Sequence, residues 1–170
     1  MDKGLVHLYW GEGKGKTTAA FGLALRAFGA GARVMVVQFL KDGQSSELTP
    51  LRQLGAVVLS GKPGTKFFSQ MNEVERAEVR ALHNQMLQQA IAFDCDLLVL
   101  DEACAACRLG MVDENLLREA VLHRPANREV VLTGRDPAVW MEQAADYSTE
   151  MCCHKHPYQQ GICARKGIEF

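Results

Sequence analysis

The chain has 170 residues, 48% of them hydrophobic and 23% charged, which is the make-up of a water-soluble globular domain. Nineteen basic residues against twenty acidic ones leave a formal charge of −1, which counts against a general nucleic-acid binder but not against a local anion site. The longest apolar runs fall far short of the ~18 residues a membrane helix needs, and the N-terminus has no basic stretch, apolar core and cleavage site of a signal peptide. Six cysteines without a secretory signal indicate reduced thiols and a cytoplasmic location.

The elements then follow in order. Leu5 to Trp10 reads as a strand, residues 11–15 are glycine-rich, and Lys16 to Phe28 reads as a helix stopped by Gly29 and Gly31. Arg33 to Phe39 is a β-branched run and hence a strand, followed by a polar loop over 40–46. A short helix is predicted over Glu47–Leu54, a strand over Ala56–Leu59, and a turn cluster at Gly61-Lys-Pro-Gly64. Met71 to Phe93 carries a long helical pattern, Asp96 to Leu100 a buried strand, and residues 113–122 another helix. Glu129–Leu132 reads as a strand and Pro137–Ala145 as a helix. The last twenty residues are irregular, with a short strand near Thr149–Met151. Strands alternating with helices predict one α/β domain over residues 1–170, a mostly parallel sheet with helices on both faces.

The strongest chemical signal is Gly11-Glu12-Gly13-Lys14-Gly15-Lys16-Thr17-Thr18, set between a strand and a helix. Gly13 and Gly15 permit backbone conformations that a Cβ forbids and let the chain approach an anion. Consecutive amides and a helix N-terminus there form a nest for phosphate oxygens. Lys16 adds a point charge for the terminal phosphates, and the Thr17 hydroxyl can ligate Mg²⁺. Lys14 is a second positive charge, suited to phosphate or to solvent. Trp10 stands where the usual pattern has its first glycine.

A second signal is the apolar strand ending in Asp101-Glu102. Ligands of doubly wound sheets sit beyond the carboxyl ends of the strands, which puts both carboxylates beside the phosphate loop. There they can hold magnesium directly or through water; an acidic pair opening a helix is the alternative. The two signals give a P-loop NTPase-like domain. They do not say which bond breaks, although no Asn-Lys-x-Asp guanine-reading motif is present. Another P-loop ATPase or small-molecule kinase, or a non-catalytic nucleotide-binding regulator, fits the loop alone.

Further segments carry a resemblance. Gly11 to Gly22 looks like the phosphate loop of the ATP:corrinoid adenosyltransferases of P-loop type. Val36-Val-Gln-Phe-Leu-Lys41, Leu100-Asp-Glu102, Leu132-Thr-Gly-Arg135, Lys155-His-Pro-Tyr158 and Gly161-Ile-x-Ala-x-Lys-Gly-Ile-Glu169 follow in the family's order. The loop is common to many families, whereas the Lys-His-Pro-Tyr and Lys-Gly-Ile-Glu segments are specific. The resemblance implies transfer of the 5′-deoxyadenosyl group of ATP to the cobalt(I) of cobalamin or a cobinamide-type corrinoid, with triphosphate leaving.

It also implies a homodimer, an electron donor such as a flavoprotein, and Mg²⁺. The Gly11–Gly15 backbone and Lys16 hold the triphosphate, Thr17 and Glu102 ligate the metal, and Thr18, Lys41 and Arg135 touch ATP. Phe67 and Phe68 lie where the family places corrinoid-facing aromatics, although two core phenylalanines would read the same way. His156 fits a structural or corrinoid-side role. Longer relatives carry an N-terminal extension thought to cover the corrinoid, and this chain begins a few residues before its first strand.

Cys104-Ala-Ala-Cys107 and Cys152-Cys153-His154-Lys-His156 could together offer zinc ligands by spacing. Small thiols at i and i+3 of a helix also pack well in a core. Cys95 and Cys163 read as ordinary buried residues, and His7 and His83 as parts of a strand and a helix.

Overall fold

The computed structural model describes residues 3–62, 64 and 66–169, so Pro63 and Thr65 of the turn cluster lie outside the described residues. Six parallel strands form one sheet: β1 (Val6–Trp10), β2 (Val34–Gln38), β3 (Val57–Ser60), β4 (Leu97–Asp101), β5 (Glu129–Gly134) and β6 (Tyr147–Glu150). Their spatial order is β3-β2-β4-β5-β1-β6. The helices are α1 (Lys16–Gly29), α2 (Leu48–Gln53), α3 (Glu73–Ala92), α4 (Ala103–Arg108), α5 (Glu114–Leu122) and α6 (Val139–Ala144).

Strand periodicity sorts the core into two layers. Met35, Val37, Leu98, Leu100, Val130 and Leu132 face one side, against Met86 and Leu87 of α3, Cys104 of α4, Leu117 of α5 and Met141 of α6. Val34, Val36, Leu97, Val99 and Val131 face the other, against Ala20, Phe21 and Ala24 of α1 and Leu48 and Leu51 of α2. The central strands are therefore apolar along most of their length, with polar residues at their carboxyl ends, and helices cover both faces as predicted.

Two boundaries move for identifiable reasons. The long helix starts at Glu73 rather than Met71 because Asn72 caps it: Asn72 Oδ1 accepts from the Glu75 amide, and the Glu75 carboxylate accepts from the Asn72 amide. The last strand begins at Tyr147, upstream of the Thr149 expected, and pairs with β1 over His7–Trp10. It is exposed along its length, so no hydrophobic pattern marks it.

Arg128 fixes the opposite end of the sheet. It is 3% exposed and donates to the carbonyls of Cys95, Ala90 and Phe93, the last two at the end of α3. Carbonyls left without partners at a helix C-terminus are thus satisfied by a cation, where the helix dipole favours one.

Candidate nucleotide site

Four strand ends converge at the carboxyl edge of the sheet. β1 runs straight into the loop, and Trp10 is still strand: its side chain packs on the core and donates from Nε1 to Ser148 Oγ at 3.0 Å. The sharp turn begins one residue later, at Gly11 with φ 104°, so the first position needs no glycine. Gly15, at φ 114°, caps α1. The first helical amide to bond is Ala19, to the Gly15 carbonyl. The amides of Lys16, Thr17 and Thr18 therefore have no acceptor within the helix and face outward as an anion nest.

Gly13 is required for a different reason from the one its sequence suggested. Its amide donates to the Met151 carbonyl at 2.5 Å, and a Cβ there would sit 2.6 Å from that oxygen. The Met151 amide in turn donates to the Trp10 carbonyl at 2.8 Å. The chain after β6 is thus stitched to the loop from the inside. Farther along the tail, hydrogen bonds from Arg165 hold the Glu169 carboxyl near 2, and the Lys14 charge acts in the same direction.

Lys16 Nζ donates to the Gly13 carbonyl at 2.7 Å. Burial, then the neighbouring Arg135, lowers its pKa from 10.5. Both penalise the charged lysine, while Glu102, Glu12 and Asp101 act the other way, and an incoming anion would add to their support. Arg135, just past β5, pairs with Glu12 at 3.0 Å, with both side chains more than half exposed. Such a pair orders the rim of the loop and adds little to stability. Lys14 and Thr18 are exposed.

The centre of the site is Asp101, which has no exposed surface. Its Oδ1 accepts from Thr17 Oγ1 at 2.8 Å and from Thr133 Oγ1 at 2.7 Å. Its Oδ2 accepts from Gln38 Nε2 at 3.1 Å and from Lys41 Nζ at 3.0 Å. β5 lies between β4 and β1, so Thr133 fills the gap that Asp101 must bridge to reach Thr17. All four lone-pair positions of the carboxylate are engaged, and direct ligation of a metal by Asp101 would have to break one of these bonds.

Glu102 is different. It sits at φ 61°, a left-handed conformation held by its amide donating to Thr133 Oγ1 at 2.9 Å. Among the described residues its carboxylate makes no hydrogen bond or ion pair. Burial first, and then the charge of Asp101, raises its pKa from 4.5. The half-buried Glu102 carboxylate, which feels the charges of Lys41, Lys16 and Arg135 without bonding to any of them, and the Thr17 hydroxyl, whose hydrogen is spent on Asp101, are oxygens at this edge with lone pairs to spare. That donor set suits Mg²⁺, which takes one or two protein oxygens and completes its shell with phosphate and water.

The corrinoid candidates lie elsewhere. Phe67 is exposed and Phe68 half-buried, in the short 3₁₀ turn Phe68–Gln70 and the residue before it. Arg76 lies 4.2 Å over the Phe68 ring. Phe68 packs on a small cluster of Met71, Val79 and Met111 and is not part of the main core. His156 caps the turn Pro157–Gln160, its Nδ1 accepting from the Tyr158 amide at 3.2 Å. Among the described residues no hydrogen bond or ring contact joins it to Phe67 or Phe68.

The thiols are scattered by environment. Cys104 is fully buried in α4 against Gly134, and burial pushes its thiol up to about 12. Cys107 is half-buried, and Cys152, Cys153 and Cys163 are exposed, the last against expectation. Among the described residues no group of three or more Cys, His, Asp or Glu side chains is arranged to hold a metal by itself. Also among them, no helix is long and apolar enough to cross a membrane.

Gln38 and Thr133, which hold Asp101, were not singled out in the sequence. Both are polar residues with no exposed surface inside apolar strands. That anomaly marks them physically, since a buried polar group needs a partner, and both fall inside the segments that carry the family resemblance.

The family described as ATP:corrinoid adenosyltransferase BtuR/CobO/CobP matches residues 2–170. A corrinoid adenosyltransferase of Pseudomonas aeruginosa is 36% identical over 99% of this chain and 85% of its own length. Corrinoid adenosyltransferase CobA of Salmonella typhimurium is 31% identical over 99% of the chain and 87% of its own length. The corresponding Escherichia coli K12 protein is 30% identical with the same coverage. Since the match runs through the loop, the carboxylate strand and the tail alike, the chain belongs to the ATP:corrinoid adenosyltransferases, which transfer the adenosyl group of ATP to a corrinoid in cobalamin synthesis.

Proposed function

We propose that the carboxyl edge of the sheet holds ATP with Mg²⁺, and that the corrinoid is received on the side of the Phe67–Phe68 segment and His156. The amides of Lys16, Thr17 and Thr18, with Lys16 Nζ, bind the triphosphate. Thr17 Oγ1 and Glu102 are the protein ligands of Mg²⁺, which when bound neutralises charge on the leaving triphosphate. Asp101 orients Thr17 and Lys41 from behind. Arg135, Thr18, Lys14 and Glu12 form the outer rim.

The observation that carries this reading is the division of labour between the two carboxylates. Asp101 is fully bonded to protein, while among the described residues the half-buried Glu102 carboxylate has no hydrogen bond or ion pair.

The chemistry asks for no general base. The electron pair of cobalt(I) attacks the ribose 5′ carbon, a cobalt–carbon bond forms, and the carbon–oxygen bond breaks with its pair leaving on triphosphate. The protein's task is to place the 5′ carbon in line and to stabilise the developing charge, which an amide nest and a lysine do. Cobalt(II) has to gain one electron before it can attack, so a donor such as a flavoprotein belongs to the reading. The homodimer follows the family resemblance. A cytoplasmic setting agrees with six cysteines that are all free thiols.

The test is Lys16→Ala, assayed with MgATP and chemically reduced cobalamin. The expected result is at least a hundredfold loss of turnover, the order of magnitude for removing one major charge contact in a pre-organised site. Near-normal turnover in a folded variant refutes the site.

A further inference from the structure

His83 has no exposed surface and lies on the core face of α3, far along the chain from every residue assigned so far. Its two ring nitrogens hold two separate segments. Nδ1 is 2.9 Å from the Met111 carbonyl, and Nε2 is 3.2 Å from the Leu40 amide. A carbonyl can only accept and an amide N–H can only donate, so Nδ1 carries the hydrogen and Nε2 is the bare acceptor. The tautomer is fixed from both ends. Burial, the main cause, lowers the ring's pKa and keeps it neutral, and the Lys62 charge acts in the same direction.

The segment that receives this bond is unusual. Leu40 adopts φ 62°, a region a leucine rarely occupies. The Lys41 amide closes back onto the Phe39 carbonyl at 2.8 Å, so Leu40 is the centre of a three-residue turn. A strained turn of this kind persists where its surroundings over-determine it. Here the Phe39 amide donates to the Asp101 carbonyl at 3.0 Å, Lys41 Nζ reaches Asp101 Oδ2, and His83 takes the Leu40 amide.

The turn sends its side chains to two places. Lys41 goes to the nucleotide end, onto the carboxylate that orients Thr17. Leu40 packs on the Met71, Val79 and Met111 cluster, on which Phe68 also packs. A single strained turn therefore connects the phosphate end with the aromatic segment.

We infer that His83 is a positioning residue for adenosyl transfer: its lone pair on the Leu40 amide holds the turn that sets Lys41 at the nucleotide end and Leu40 at the aromatic segment. This rests on the reading of the Asp101–Lys41 end as the MgATP site.

The test compares His83→Phe with His83→Gln in the full chain, measuring kcat, KM for MgATP, KM for cobalamin and the melting temperature. Phenylalanine keeps a ring and deletes both polar contacts. Glutamine offers an amide oxygen to Leu40 and an amide N–H to Met111. The expected result is a fall in kcat/KM of about tenfold or more for folded His83→Phe, part of it in kcat, as for a displaced reacting geometry. His83→Gln recovers most of that loss. Unchanged kcat and KM values in folded His83→Phe overturn the inference, and so does an equal loss in both variants.

If His83→Phe fails to fold, His83→Met takes its place, and equal constants for Met and Gln overturn the inference. Lys16→Ala run alongside separates the two readings. Turnover that survives in Lys16→Ala refutes the nucleotide site itself. Turnover lost there but intact in His83→Phe refutes only the role of His83.

Discussion

Asp101→Asn tests the centre of the site with the smallest change of shape. Asparagine keeps one acceptor oxygen and replaces the other with an NH₂ that can only donate. On the Oδ2 side that NH₂ would face Lys41 Nζ and Gln38 Nε2, both donors. On the Oδ1 side it faces the hydroxyls of Thr17 and Thr133, which can rotate and accept. Asparagine therefore settles with its nitrogen toward the threonines. Thr17 then spends a lone pair on Asn, the lone pair proposed for Mg²⁺, and Lys41 loses its counter-charge.

The Lys41 side chain is 31% exposed, so water softens that loss below the 3–5 kcal/mol of a fully buried broken pair. A total of about 2–3 kcal/mol is expected, which in a domain of this size lowers Tm by roughly 4–12 °C. Misdirecting the Thr17 oxygen is expected to lower kcat/KM by about a hundredfold, equivalent to about 2.7 kcal/mol of transition-state stabilisation. Thermal melting and the spectrum of cobalamin reacting with MgATP measure the two effects. A variant with unchanged Tm and kcat/KM within threefold of the parent would show that Asp101 does not organise the site.

Glu102→Gln should raise Tm in the absence of metal and nucleotide while lowering turnover at least a hundredfold. Its folded pKa is raised by burial, so the folded state binds the proton more tightly than the unfolded one. Stability then falls as pH rises from the ordinary value of 4.5 through the folded pKa, and the glutamine variant should lack that fall. Identical pH–stability curves would remove the argument for a carboxylate penalised by its burial. Arg128→Ala strips the partners from three carbonyls at the far end of the sheet. It should cost about 3 kcal/mol of stability, seen as a lower denaturation midpoint, and leave kcat of the folded enzyme unchanged.

The parts of the fold legible in the sequence are those set by local pattern. β2 and β4 are largely apolar runs, and α1 lies between the glycines that open and stop it. The chemical outline is also local, because the loop residues lie on adjacent positions of one turn. What stayed hidden depends on strand order. Gln38, Thr133 and Asp101 come from three strands that are neighbours only in space. The Gly13–Met151 bond joins positions that no spacing rule connects. His83 reads as one more buried position of α3, because its importance lies in the backbone angle of a leucine that no composition reveals.

The Gly13–Met151 clasp bears on folding as well as on catalysis. The residues of the phosphate loop precede α1, yet the oxygen that braces them follows β6, the last strand of the sheet in chain order. A chain that has formed α1 but not β6 presents a phosphate cradle without its inner wall. The cradle is therefore finished only once the edge strand has docked on β1, which couples the two in folding.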